Sequence, residues 1–255
     1  MTISEQLFEE YLQNRSFTFQ KEQGIIVHPD YYLNISGKQV ICEVHQMEGK
    51  PQPYNTLITS NPFTKLRSAI KSKVKQGKEA QLRKIPYVIV LYNLDPLVMT
   101  KNFVIESAMY GDLTFVLPIS LEKGKRLPAK QRNVFGGNGI IRHARGINDF
   151  GSPNNTRVSA VAILESFNPT QKTLDDEYER QTIGIDDLDQ QLELYMKIAK
   201  KLRREGKYND KTLPKIRVFH NFFASTPLSF DIFSGGFDEQ YYIDQATGSS
   251  KQYQK

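Results

Sequence analysis

The sequence has very little cysteine and no long apolar run. Its 255 residues include one cysteine, Cys42, which excludes an internal disulfide framework and suits a reducing compartment. No stretch approaches the roughly 20 continuous apolar residues that span a bilayer. The first residues, MTISEQLFEEYLQN, are acidic and polar, whereas a signal peptide is basic and then apolar. These absences predict a soluble cytoplasmic protein without a membrane segment.

Positive charge is in excess and is concentrated in one segment. The formal net charge is +6 and the pI is about 9.2, which favours an anionic partner. Residues 65–84, KLRSAIKSKVKQGKEAQLRK, carry eight Lys or Arg against the single acid Glu79. This segment either lies along a phosphate backbone or is the solvated face of a helix. On the first alternative, the candidate nucleic-acid contacts are Lys71, Lys73 and Lys75.

Hydrophobic periodicity predicts the elements of the first half of the chain. Helical spacing of apolar residues predicts a helix over 4–14, capped by Ser4. Alternation around Gly24 and Ser36-Gly37 predicts three short strands joined by tight turns. Asn61-Pro62 starts a second helix that ends near Lys84, and its lysines are expected to point outward. The apolar run over 86–93 predicts a buried strand, so the predicted order is αβββαβ.

The second half of the chain is predicted to be an α+β extension. We expect a short helix over 102–112, a strand in TFVLPI, a Gly-rich loop over 122–157 and a strand in RVSAVAILESF. A long helix over 186–204 and strands in KIRVFHN and EQYYID follow, with a mobile tail. The predicted division is 1–120 as a core and 121–255 as an accessory half packed on it, with one continuous domain as the alternative.

The stretch PDYYLNISGKQVICEVHQ, residues 29–46, predicts two acids that face each other. A two-residue turn at Ser36-Gly37 places Asp30 opposite Glu43, with Cβ atoms about 4.5–5.5 Å apart. His45 follows two residues later on the same face. Like charges directly opposite are destabilising, and a hard cation such as Mg²⁺ offsets them. The alternatives are solvated acids at strand ends and an offset turn that pairs Asp30 with His45.

With its flanking elements, this stretch resembles the restriction-endonuclease-like, or PD-(D/E)xK, nuclease superfamily. The family pattern is a helix bearing Glu, a strand entered through Pro-Asp and a neighbouring strand with (D/E)-x-K. The matches are Glu9 in FEEYL (with Glu10 as the alternative), Pro29-Asp30, and Glu43-Val44-His45. The resemblance covers about residues 4–93. It implies an α/β fold whose αβββαβ core has a mixed central sheet flanked by helices, with a C-terminal α+β elaboration.

The resemblance implies a function and also contains a departure. It implies Mg²⁺-dependent hydrolysis of DNA in restriction or phage defence, with Mn²⁺ as a possible substitute. Asp30 and Glu43 would be the metal ligands and Glu9 an outer ligand. His45 stands where the family pattern has lysine, and a lysine on the adjacent helix can substitute for it in space. The alternative is a catalytically silent nuclease-fold module that binds nucleic acid or acts as a scaffold.

A glycine-rich basic stretch, FGGNGIIRHARG, is a further candidate for contact with nucleic acid. Arg142 and Arg145 follow flexible glycines and can reach into a groove, although such a stretch is also typical of a mobile surface loop. The expected partner is double-stranded DNA, with a homodimer or a larger defence complex as possible assemblies.

Overall fold

The computed structural model describes residues 1–22, 29–49, 62–111, 113–114, 134–135, 139–143, 152–182, 187–244 and 250–254. Twelve strands are described, most of them short. In chain order they are β1 (Thr18–Lys21), β2 (Tyr31–Ile35), β3 (Lys38–Met47), β4 (Tyr87–Asn93), β5 (Leu113–Thr114), β6 (Val134–Phe135), β7 (Arg142–His143), β8 (Ser152–Pro153), β9 (Ala160–Phe167), β10 (Leu213–His220), β11 (Glu239–Ile243) and β12 (Ser250–Gln252).

Six α-helices and one 3₁₀ helix are described with these strands. They are α1 (Ile3–Asn14), α2 (Pro62–Val74), the 3₁₀ helix (Lys75–Gly77), α3 (Lys78–Arg83), α4 (Asn102–Tyr110), α5 (Gln171–Thr182) and α6 (Leu188–Arg204). The order of the first elements is therefore the predicted αβββαβ, with α2, the 3₁₀ helix and α3 together in the place of the second helix.

Eight strands form one mixed sheet in the order β1-β2-β3-β4-β9-β10-β11-β12. The pairs β1–β2, β2–β3 and β11–β12 are antiparallel, and the pairs β3–β4, β4–β9 and β10–β11 are parallel. A parallel pair needs a crossover connection, and α2 to α3 provide it between β3 and β4. The prediction of an α/β protein with a mixed central sheet flanked by helices is confirmed.

The chain divides into two units. One comprises residues 1–165 and 216–255, and the other comprises residues 166–215. The second unit contains α5 and α6, whose shared core is Leu174, Ile198, Ala199 and Leu202. The sequence placed a boundary near residue 120, and residues 112 and 115–133 around it lie outside the described part of the chain.

The β2–β3 hairpin has the predicted register. Ser36 and Gly37 have φ of 51° and 81°, and two positive φ values are typical of the two-residue turns that match strand twist. Tyr31 pairs with Cys42, and Ile35 pairs with Lys38. This register excludes the offset turn that would pair Asp30 with His45.

The two faces of this hairpin pack against different helices. Phe8 and Leu12 of α1 share a buried cluster with Tyr31, Cys42 and Val44. On the other face, Ile41 and Met47 share a cluster with α2, through side chains that include Leu66 and Ile70. Because side chains alternate along a strand, Glu43 and His45 belong to the face that packs on α2. The buried side of α2 and the turn that follows it is largely as predicted: Leu66, Ile70, Val74 and Gly77 are buried and Phe63 is half-buried.

The first two helices of the chain differ in detail from their predictions. Ser4 is not the cap of α1, because Thr2 and Glu5 form a reciprocal capping box there. The helix expected to run to Lys84 is broken at the 3₁₀ helix. A Cβ on Gly77 would lie 2.7 Å from the ring of Tyr87, and the Tyr87 hydroxyl donates to the Lys73 carbonyl oxygen at 2.7 Å. Tyr87 therefore packs tightly against the break, where the helical path changes.

Three predictions for the second half need correction or lie outside the described residues. Helix α5 was not predicted, because its sequence is strongly polar and buries only Leu174. The tail was expected to be mobile, but Ser250–Gln252 pairs with β11. Of the strand predicted in TFVLPI, only Thr114 is described, as part of β5, and residues 115–119 lie outside the described part. In the predicted loop, β7 pairs with β8.

Candidate active site

Asp30 and Glu43 meet at the open end of the β2–β3 hairpin. The backbone N–H of Asp30 donates to Glu43 Oε2 at 3.3 Å, and the backbone N–H of Val44 donates to Asp30 Oδ2 at 2.8 Å. Each carboxylate thus accepts a hydrogen bond from the backbone at or next to the other acid. Glu43 is fully buried, so the alternative of a solvated acid at a strand end is wrong for this residue. The hairpin brings together the two predicted ligands.

Lys73 of α2 supplies a positive charge at this pair. Its Nζ lies 2.6 Å from Glu43 Oε1, and its side chain is 20% exposed. Lys71 and Lys75 are exposed, so the prediction that the lysines point outward is wrong only for Lys73 among these three. Lys73 lies three residues after the buried Ile70, on the same side of the helix, and its long stem reaches from the edge of that side to the sheet.

Gln76 is a site residue that the sequence did not indicate. Its Nε2 donates to Glu43 Oε1 at 2.7 Å, the same oxygen that accepts from Lys73. Gln76 lies in the 3₁₀ helix that follows α2, three residues after Lys73, so the two side chains lie on the same side of the helical segment. Among the described residues, Gln76 Oε1 is buried and has no hydrogen-bond partner. An acceptor at the site is thus left unsatisfied.

The pKa values of both carboxyl groups, Asp30 and Glu43, are raised above those of free carboxyl groups. Burial raises the pKa of Glu43, the nearby charge of Asp30 adds to this, and Lys73 opposes it. Burial also raises the pKa of Asp30, against the hydrogen bond from the Val44 N–H and the charge of Lys73. Burial and like charge both disfavour ionised carboxylates. The site therefore favours an added proton or cation.

We expect the Asp30→Asn variant to be more stable than the wild type without metal. A folded-state pKa above the unfolded value means that stability is complete at low pH and is lost as the pH rises through the folded pKa. Asparagine stays uncharged as the pH rises, so this loss of stability does not occur. Its Oδ1 can still accept the hydrogen bond from the Val44 N–H. The expected gain is on the order of 1 kcal/mol at pH 8, shrinking as the pH falls through the raised pKa of Asp30. Urea unfolding at pH 5 and pH 8 with EDTA measures it. Lower stability than wild type at pH 8 would contradict the expected sign.

His45 is half-buried and follows Glu43 on the same face of β3. Burial lowers the pKa of its imidazole, and the positive charge of Lys73 lowers it further. His45 is therefore neutral at neutral pH and does not reproduce the charge of the motif lysine. On the adjacent helix, Lys73 places its ammonium group beside Glu43.

Glu9 is held by other partners. Its Oε1 accepts from Lys21 Nζ and from the Tyr31 hydroxyl, each at 2.9 Å. Its role as an outer ligand stays a prediction. Glu5, one turn earlier, has a charge that raises the pKa of Asp30 and lies 3.5 Å from Lys21 Nζ. Glu5 was not predicted to lie near the site, although Thr2-x-x-Glu5 is a recognisable capping pattern.

The donor set fits a Mg²⁺ ion that keeps most of its waters. Within the described residues, no group of three or more His, Cys, Asp or Glu side chains could hold a metal. Asp30 and Glu43 provide two carboxylates, and Mg²⁺ is often bound by one or two acids with waters and substrate phosphates. The unpaired Gln76 Oε1 is a suitable acceptor for such a water. The residues that would hold the ion are therefore Asp30 and Glu43.

No family model, curated protein or solved structure matches this chain. Over the residues that the structure describes, no helix is long and apolar enough to cross a membrane. The arrangement of the side chains around Asp30 and Glu43 is therefore the basis on which a function is proposed.

Of the remaining residues predicted to contact nucleic acid, the structure describes the side chains of Lys71 and Lys75 but not those of Arg142 and Arg145. Lys71 and Lys75 are exposed beside the site, as a surface that meets phosphates requires. The backbone of Arg142 belongs to β7, and its side chain lies outside the described residues. Arg145 lies entirely outside them. The contacts of all four with DNA stay predictions.

Proposed function

We propose that this chain is a Mg²⁺-dependent DNA endonuclease with a restriction-endonuclease-like core, of the restriction or phage-defence type. One observation carries the proposal. The carboxylates of Asp30 and Glu43 meet at the open end of a hairpin, and Lys73 of the neighbouring helix binds Glu43. Paired acids with an adjacent lysine are suited to holding a hard cation and an anionic phosphate.

The order of elements around the site also supports this core. Helix α1, strands β1 to β3, the helical crossover and the parallel strand β4 follow one another in the αβββαβ order of the family that the sequence resembles. Asp30 immediately precedes the second strand and Glu43 lies on the third, which fits the family pattern of a strand entered through Pro-Asp. The lysine differs, since it comes from α2 and not from the position of His45.

The residues of the chain have distinct roles in the proposed hydrolysis. Asp30 and Glu43 would hold the cation, which would supply Lewis acidity for the attacking water and positive charge beside the phosphate. The neutral imidazole of His45 accepts a proton from the attacking water on a ring nitrogen. The water oxygen forms the new bond to phosphorus, and the bond from phosphorus to the leaving sugar oxygen breaks. The electron pair of that bond stays on the sugar oxygen, which takes a proton from solvent water. Lys73 stabilises the negative charge that develops on the phosphate.

A second candidate function is a catalytically silent module that binds nucleic acid. It is favoured by the same ion pair: the ammonium group of Lys73 already neutralises Glu43 and can take the place of a cation. Binding would then depend on exposed lysines such as Lys71 and Lys75, and it would weaken steeply with salt.

Plasmid cleavage separates the two functions. The purified chain is expected to nick supercoiled plasmid with Mg²⁺ or Mn²⁺, and EDTA should stop the reaction. His45→Lys restores the family pattern and should raise nicking further. If neither form shows metal-dependent cleavage, the nuclease proposal is wrong. A salt-sensitive gel shift that is lost in Lys71→Gln/Lys75→Gln would then identify the silent module.

A further inference from the structure

Helix α6 exposes a stripe of large apolar side chains. Leu188, Leu192 and Met196 are 78%, 63% and 48% exposed. They are spaced four residues apart, so they lie along one side of the helix. The core of the second unit uses other positions of the same helix, Ile198 and Leu202 among them. Single exposed apolar residues are common, but a contiguous row of them is typical of an interaction surface.

The charges along α6 indicate what covers this stripe. Its first half carries Asp189 and Glu193, and its second half carries Lys197 and Lys200. Within the described part of the chain, none of these four side chains takes part in an ion pair. A second α6 in antiparallel orientation brings acidic half against basic half, whereas a parallel orientation brings like charges together. The helix is thus complementary to itself in one orientation only.

The spacing also fixes the alignment of two such helices. Leu192 and Met196 are equally distant from residue 194, and Asp189 and Lys200 lie at nearly equal distances on either side of it. By helical phase, Asp189 and Lys200 are on the same flank of the stripe. In an antiparallel pair, equivalent flanks face each other, so the same two-fold axis aligns the apolar and the charged contacts.

We propose that the α6 stripe is a homodimer interface. Two copies of the chain pack α6 against α6 in antiparallel orientation about a two-fold axis near residue 194. Leu192 packs on Met196 of the partner subunit, and Asp189 pairs with Lys200 of the partner subunit. This interface is independent of the chemistry proposed for Asp30 and Glu43.

Sedimentation velocity of the full chain over a range of concentrations tests the interface. The wild type should show a reversible monomer–dimer equilibrium. Leu192→Glu should raise the dissociation constant about tenfold or more, a change of at least ~1.4 kcal/mol. Leu82→Glu is the matched control, because Leu82 on α3 is 85% exposed and lies off the stripe; it should leave the equilibrium unchanged. A wild type that is monomeric throughout, or a dimer that survives Leu192→Glu, overturns the proposal. If the stripe binds a different protein while the wild type stays monomeric, the homodimer proposal is wrong.

A charge exchange tests the orientation. Asp189→Lys and Lys200→Glu should each weaken the dimer, and the double variant should recover most of the affinity because opposite charges face each other again. Lys201→Glu makes the same charge change in the same turn, on the side of α6 that faces Glu177, and should have little effect. Thermal unfolding of each variant at low concentration checks that the monomer is intact. If the double variant is no tighter than the single variants, the antiparallel pairing is wrong.

Discussion

Asp30→Asn and Glu43→Gln are each expected to reduce Mg²⁺-dependent plasmid cleavage by about 10³-fold or more. Each change removes one of the two carboxylates that hold the cation, and a bound metal contributes several kcal/mol to transition-state stabilisation. Because each 1.36 kcal/mol is about tenfold in rate, losing the ion accounts for a change of that size. Initial nicking rates at saturating Mg²⁺ measure the effect.

Two comparisons separate loss of chemistry from loss of fold. Asp30→Asn is expected to be more stable than the wild type at pH 8, so its inactivity cannot come from unfolding. Asp95→Asn is the matched control for a buried acid, because Asp95 also pairs with a lysine of α2, Lys65, but lies away from Asp30. It should cleave at the wild-type rate within a few-fold. Wild-type cleavage by Asp30→Asn or by Glu43→Gln would refute the proposed mechanism.

Asp95 and Glu43 are both buried and both pair with a lysine of α2, but only Glu43 keeps a raised pKa. Lys65 lowers the pKa of Asp95, with help from a backbone N–H. Lys73 does not bring the pKa of Glu43 down to its usual value, because burial and the charge of Asp30 outweigh it. One lysine therefore satisfies Asp95, whereas the Asp30–Glu43 pair retains a demand for further positive charge. The proposed Mg²⁺ would supply that positive charge.

The sequence was sufficient to predict the pairing of Asp30 with Glu43. A two-residue turn at Ser36-Gly37 fixes the hairpin register, and the period of two residues along a strand then determines which side chains share a face. Both steps are local, so they need no knowledge of the rest of the fold. The face of α2 that packs on the sheet was predictable for the same reason, from its period of 3.6 residues.

The contributions of Lys73 and Gln76 could not be predicted in this way. Lys73 lies at the edge of the buried side of α2, where only the tertiary position of Glu43 decides whether its stem turns to the sheet or to solvent. Gln76 lies in the 3₁₀ helix that interrupts the predicted helix over 62–84, and the packing of Tyr87 against Gly77 at this break is not indicated by any local pattern. Strand β12 was missed because its three residues are polar and exposed and take their structure from pairing with β11. In each case, tertiary contacts outweigh the local preference of the segment.

Lys73→Met is expected to lower the free energy of unfolding by about 3–5 kcal/mol at pH 8 in EDTA, because it leaves the buried carboxylate of Glu43 without its charge partner. The double variant Glu43→Met/Lys73→Met should lose much less, since apolar side chains of similar volume often replace a buried ion pair at little cost. Urea unfolding of the wild type, both single variants and the double variant gives the coupling free energy between the two residues.

The pH dependence gives this expectation a second, independent check. Lys73 lowers the pKa of Glu43, so its removal raises that pKa further, and the carboxyl group takes up a proton as the pH falls. A neutral carboxyl group no longer needs the lysine, and the penalty of Lys73→Met should therefore shrink from pH 8 to pH 5. Lys65→Met should lose less at pH 8, because Lys65 is 41% exposed and water screens its interaction with Asp95. Equal losses in Lys73→Met and in the double variant would show that Lys73 acts through packing and not through its charge on Glu43.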